Sequence, residues 1–179
     1  MARGPAIFAI LKRFASFGLY NTVILTMIKI KPIKQTKNYL CGPASLKMVL
    51  SFYKINKSEK DIAKLTKTTF KKGCSLNNIL KLASQLNLSA YSVDNFSISG
   101  LKKLVNNNIP IIVDWFSSKG EGHYSVVVGF SKSNIFYIDP YFGKIITMSN
   151  RDFLFRWFDF IGPPSKNRLI LKRAIVISK

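Results

Sequence analysis

With 179 residues, 47% of them hydrophobic and 13% aromatic, the chain is long and apolar enough to bury one sizeable core and reads as one globular domain. The formal charge is +20, from 28 Lys and Arg against 8 Asp and Glu, but the charges lie as single lysines and short pairs such as Lys71-Lys72. Scattered lysines on solvated faces make no specific nucleic acid an expected partner and leave only weak adhesion to anionic surfaces, while two cysteines, Cys41 and Cys74, exclude a disulfide framework.

Residues 6–28 are mainly apolar, interrupted by Lys12, Arg13 and Asn21. The uncharged run from Phe14 to Ile28 falls short of the roughly 18 to 20 residues that span a bilayer, and no small-residue cleavage pattern follows it. Three readings stay open for residues 1–26: an interfacial anchor, a signal-like segment, or an extension upstream of a start at Met27. Membrane association through residues 6–28 therefore stays open too, and a cytoplasmic or membrane-associated location is the expectation. Residues 27–179 are expected to form the domain.

Ile28 to Ile33 alternates Ile and Lys and reads as a short edge strand, which suits Pro32. Residues 34–40 form a loop. From Cys41 to Tyr53, Leu46, Val49, Leu50 and Tyr53 recur at helical spacing, with Pro43 in the first turn where its missing N–H costs nothing. Ser58 followed by Asp61 resembles a capping box, giving a second helix to about Leu65. Ser75 caps a third, with Leu76, Ile79, Leu80, Ala83 and Leu86 on one face and Asn87 at its end. A strand (Leu88 to Val93) and a helix (Ser97 to Asn106) follow, closed by an Asn-rich turn and Pro110.

From Ile111 the pattern changes to strands: Ile111 to Phe116, His123 to Phe130, Ile135 to Ile138, Lys144 to Met148 and Arg168 to Ser178. Turns at 117–122, 131–134 and 139–143 supply Gly, Pro, Asn and Asp where the chain reverses. Helices first and an antiparallel sheet second make a two-layer α+β domain. Trp115, Trp157, Phe153, Phe155 and Phe158 are expected in the core or around a cleft.

Cys41 opens a helix, and the first turn of a helix favours a thiolate through its partial positive charge and free N–H groups. Gly42 beside it is read as leaving room for a substrate backbone. His123 is the only histidine and hence the one imidazole able to serve as general base for a thiol. Asp139 follows sixteen residues later at the end of the next strand, where it can orient His123, besides starting a turn before Pro140. Gln35, six residues before Cys41, can offer its amide to an oxyanion together with the Cys41 N–H.

Gln35 through Cys41-Gly42-Pro43, then Gly122-His123-Tyr124-Ser125 and Tyr137-Ile138-Asp139-Pro140, together resemble the bacteriocin-processing, double-glycine-leader peptidase family of the papain-like clan. Gly73-Cys74-Ser75-Leu76 is similar to a further loop of that family. The resemblance implies a papain-like fold and a thiol peptidase in which Cys41 attacks, His123 is base and then acid, Asp139 orients it and Gln35 supplies the oxyanion hole. A peptide or protein is then the substrate, with no cofactor and no metal. The chain looks like a stand-alone branch, since no Walker motif accompanies the domain. Acyl transfer to an amine, or peptide binding without turnover, are the alternatives. Cys74 is read as structural.

Overall fold

The computed structural model describes residues 26–162 and 166–179. The readings of the segment before Thr26 fall outside those residues. Among the described residues, no helix is long and apolar enough to cross a membrane.

Among the described residues, four helices lie between Cys41 and Asn106. Helix α1 (Cys41–Phe52) buries Gly42 through Leu46 and Met48 through Leu50; a helix apolar almost all round belongs in the middle of a core. Helix α2 (Glu59–Leu65) is capped by Ser58, whose hydroxyl accepts the Asp61 N–H at 3.0 Å and donates to the Asp61 carboxylate at 2.6 Å. Helix α3 (Leu76–Gln85) starts on Ser75, and the chain leaves it through Asn87 at φ 59°, a left-handed position that Asn tolerates. Helix α4 (Ile98–Asn106) starts on Ser97, which accepts the Gly100 N–H at 2.9 Å.

The strands are β1 (Thr26–Met27), β2 (Ser89–Val93), β3 (Ile111–Phe116), β4 (Gly122–Phe130), β5 (Asn134–Asp139), β6 (Lys144–Ser149), β7 (Phe158–Ile161), β8 (Arg168–Leu171) and β9 (Arg173–Ser178). One antiparallel sheet runs in the order β2-β9-β3-β4-β5-β6, with β1 added on β4, while β7 and β8 make a separate hairpin. The α+β expectation holds: the helical half packs on the sheet, and Ser45 of α1 donates to Tyr124 O of β4 at 3.2 Å across the buried seam. Strands β3 and β4 are buried along nearly their whole length, so they form the floor from which the cleft residues project.

Several boundaries differ from the sequence reading. The ladder expected over Ile28 to Ile33 consists of Thr26–Met27 plus one bond from Ile28 N–H to Val128 O at 2.7 Å. The chain then folds on itself, with Ile30 N–H donating to Ile28 O, and leaves the sheet. The single strand expected over Arg168 to Ser178 breaks at Lys172, which takes φ 50° and donates its N–H to Trp157 O at 2.8 Å. One half joins the hairpin and the other the main sheet. A further helix, α5 (Asn150–Arg156), sits where no element was expected; its signal is Ser149 with Asp152 in the first turn, the same pairing as Ser58 with Asp61. Phe153 is buried against Trp115 and Tyr137, and Trp157 is buried against Phe153, as expected. Phe158 stacks on Phe116 at 5.1 Å, but Phe155 is 70% exposed because it lies on the outer side of α5.

Candidate active site

Cys41 is the first residue of α1, a free, half-buried thiol at the edge of a cleft of about 830 Å³. Gly73 to Leu76 line the cleft together with Tyr124, Asp114, Asp159, Phe160 and Arg173. The approach of α1 explains Gly42. A Cβ there would lie 2.5 Å from Cys74 Cβ, 3.0 Å from Cys74 Sγ and 3.2 Å from the Tyr124 ring. The glycine thus lets the helix start seat against the protein's own core, a reason the sequence reading, which reserved the space for substrate, did not contain. Burial pushes the Cys74 thiol up, which makes it the less reactive of the pair.

His123 stands near the start of β4 and Asp139 at the end of β5. Continuing the Val126–Ile138 register sets Asp139 opposite Ser125, one diagonal step from His123 on the same face. Their side chains meet, His123 Nε2 to Asp139 Oδ1, at 2.8 Å, with the residues 6% and 5% exposed. Asp139 Oδ1 also accepts the Tyr141 N–H at 2.8 Å, and Asp139 O accepts the Gly143 N–H, so the turn that the Asp-Pro pair begins holds the carboxylate still. Trp115, the register partner of His123, meets the imidazole edge to face at 6.0 Å.

A carboxylate only accepts, so the proton on this side of the neutral ring is on Nε2 and Nδ1 is left for the thiol. Burial of the ring opposes its cation. The hydrogen bond to Asp139, with the neighbouring Cys41 side chain and the Asp139 charge, outweighs it and raises the His123 pKa to about 9. At neutral pH the imidazole therefore stands as a cation between the Asp139 carboxylate and the Cys41 sulfur.

Gln35 lies in the loop before α1, 7% exposed. Its N–H donates to Pro140 O at 2.7 Å, tying the loop to the residue after Asp139. Its side-chain Nε2 donates to Lys37 O at 2.8 Å and Asn38 O at 2.9 Å, while Oε1 is buried with no hydrogen-bond partner among the described residues. Lys37 O accepts the Leu40 N–H as well, closing the turn that delivers the chain to Cys41. The four residues picked out from the sequence thus share one neighbourhood, with the Gln35 amide directed into its own loop.

Other charged groups of the cleft were not singled out from the sequence. Asp114 is buried, and burial followed by the Asp159 charge holds its carboxyl well above the usual range. Burial also raises Asp159. Arg173 is the nearby cation, 3.9 Å from Asp114 and paired at 2.7 and 3.0 Å with Asp94. Only strand register brings these residues together, so no local signal announces them. Among the described residues, no group of three or more His, Cys, Asp or Glu is arranged to hold a metal ion.

The model of the Peptidase C39 like family matches residues 27–160. An uncharacterized protein of Methanothermobacter marburgensis is 32% identical over 114 residues, 63% of this chain and 73% of that protein. Among solved structures, a double glycine motif protease from an AMS/PCAT transporter, in complex with its leader peptide, superposes with TM-score 0.66 at 22% identity, over 85% of this chain and 93% of that one. The peptidase domain of Streptococcus ComA, a bifunctional ABC transporter of a quorum-sensing pathway, superposes with TM-score 0.67 at 25% identity, over 83% and 97%.

Proposed function

The chain belongs to the Peptidase C39 like family, and from that premise we propose that it is a cysteine peptidase that cleaves a precursor peptide after a leader ending in Gly-Gly. The observation that carries the reading is the buried His123–Asp139 pair at 2.8 Å with Cys41 acting on the same ring at the mouth of the cleft. A structurally similar protease holds a leader peptide, which supports a peptide as the substrate class.

In this mechanism the Cys41 thiolate attacks the carbonyl carbon of the scissile bond, and His123 gives its Nδ1 proton to the departing amine. The resulting thioester is hydrolysed by a water whose proton returns to His123. Asp139 keeps the ring oriented and its charged form stabilised in both halves. The developing oxyanion takes the Cys41 N–H and the Gln35 amide. For the second donor, one Gln35 N–H has to turn from Lys37 O or Asn38 O toward the substrate. Acyl transfer uses the same residues and differs only in the acceptor.

The test is to incubate the protein with a synthetic leader-Gly-Gly-core peptide and identify products by mass spectrometry, with and without an added amine. Cleavage by wild type and none by Cys41→Ala is expected; an amide product in the presence of the amine would move the assignment to acyl transfer. Intact peptide, together with a Cys41 no more reactive than a free thiol, would overturn it.

A further inference from the structure

We propose that Glu59 is a positioning residue for the Gln35 side of the site, acting through Thr36; the inference rests on the peptidase reading above. Glu59 is the first residue of α2, where a carboxylate suits the positive end of the helix and ordinarily stays in water. Here it is only 7% exposed. It reaches across 23 residues of sequence to Thr36, whose N–H approaches its two oxygens at 3.2 and 3.3 Å and whose hydroxyl donates to Oε2.

A carboxylate taken out of water is tolerated when donors replace the lost hydration, and Thr36 supplies them. Thr36 follows Gln35, whose N–H is bound to Pro140 O beside the Asp139 turn. The short stretch carrying Gln35 is therefore held from two directions, by α2 on one side and by the Asp139 turn on the other. The Gln35 side chain is buried and its amide is held only by carbonyls of its own loop, Lys37 O and Asn38 O, so the position of that amide follows where the two anchors hold the loop. Glu59 does not line the cleft around Cys41. It reaches the chemistry only through the loop.

Glu59→Gln keeps the shape and one acceptor but puts an amide NH₂, which cannot accept from Thr36, in place of the other. We expect kcat on the leader-Gly-Gly-core peptide to fall about 10- to 100-fold with KM within about twofold. Inhibition by a peptide aldehyde ending in glycinal, whose hemithioacetal oxygen occupies the oxyanion position, should weaken by the same factor. Alkylation of Cys41 by iodoacetamide should keep its wild-type rate. Adding Glu59→Gln to Gln35→Ala should cost nothing beyond Gln35→Ala alone, because the two act through one group. Thr36→Val, which removes the hydroxyl from the other side of the contact, should repeat the pattern more weakly if Glu59→Gln folds poorly. Losses that multiply in the double variant, or alkylation that falls in step with turnover, overturn the positioning role. If wild type neither cleaves the peptide nor binds the aldehyde, the peptidase reading fails and the role of Glu59 falls with it.

Discussion

His123 and Asp139 meet at 2.8 Å across two antiparallel strands, nearly sealed from water, and the same Asp139 oxygen also holds the Tyr141 N–H. The carboxylate is thus a fixed acceptor that selects one ring nitrogen. Asp139→Asn removes the charge and permits the wrong tautomer, so kcat should fall about 10²- to 10⁴-fold with little change in KM. The His123 pKa should fall well below about 9. Because His123 is the only histidine, one NMR-monitored imidazole titration measures the shift directly.

The pH dependence follows from the same pair. Its folded pKa is raised from 6.5 to about 9, so the stabilisation of the cation is complete below about 6.5 and is lost as pH rises through about 9. Activity on the leader-Gly-Gly-core peptide should therefore have an alkaline limb centred near 9, and the melting temperature should decline over the same range in wild type but not in His123→Ala. A profile flat to pH 10 would contradict the pairing.

The two thiols should separate by reactivity. Cys41 faces the cleft half-exposed, whereas Cys74 is buried and its thiol is pushed up by that burial. Iodoacetamide at pH 7, followed by peptide mapping, should modify Cys41 and leave Cys74 intact. Cys41→Ser should abolish cleavage and Cys74→Ser should retain it.

Gly42→Ala should be costly for reasons of space alone. The added methyl meets Cys74 Cβ at 2.5 Å and the Tyr124 ring at 3.2 Å, so α1 has to shift at a cost of about 1–3 kcal/mol. Chemical denaturation reads the loss. Turnover should fall further than stability, since the residue displaced with the helix start is Cys41.

Asp114 and Asp159 share one Arg173 on the cleft wall. Raised carboxyl pKa values mean that folding holds protons the unfolded chain has released, so this pair destabilises the fold increasingly as pH rises above the ordinary carboxylate range. Asp159→Asn removes one of the two like charges. The melting temperature should rise, and more at pH 8 than at pH 5; a gain larger at pH 5 would reverse the argument.

Helices α2 and α3 were legible because caps are local. Ser58, Ser75 and Ser97 each accept an N–H three residues on, and that contact needs nothing beyond its own turn. Ser149 carries the same signal for α5, but it sits between strands, where turn chemistry looks alike. The stretch from Arg168 to Ser178 reads as one strand because both halves are short apolar runs, Leu169 to Leu171 and Ala174 to Ile177. What splits it is pairing of β8 with β7 and of β9 with β2 and β3, a choice made by distant partners.

By itself the sequence determined which residue types stand at 35, 41, 123 and 139, and that Cys41 begins a helix while His123 and Asp139 stand near the ends of neighbouring strands. Periodicity, caps and turn residues act over a few positions, so they leave a local imprint. The tertiary structure decided which ring nitrogen faces Asp139, that Gly42 makes room for Cys74, that the Gln35 amide turns toward Lys37 and Asn38, and that Glu59 reaches Thr36. Each of those depends on packing, and except for the turn of the Gln35 amide each joins residues that only the folded chain brings within hydrogen-bonding or van der Waals reach. Such contacts leave no pattern along the chain, and that is why the residue types at these positions were readable in advance while their geometry was not.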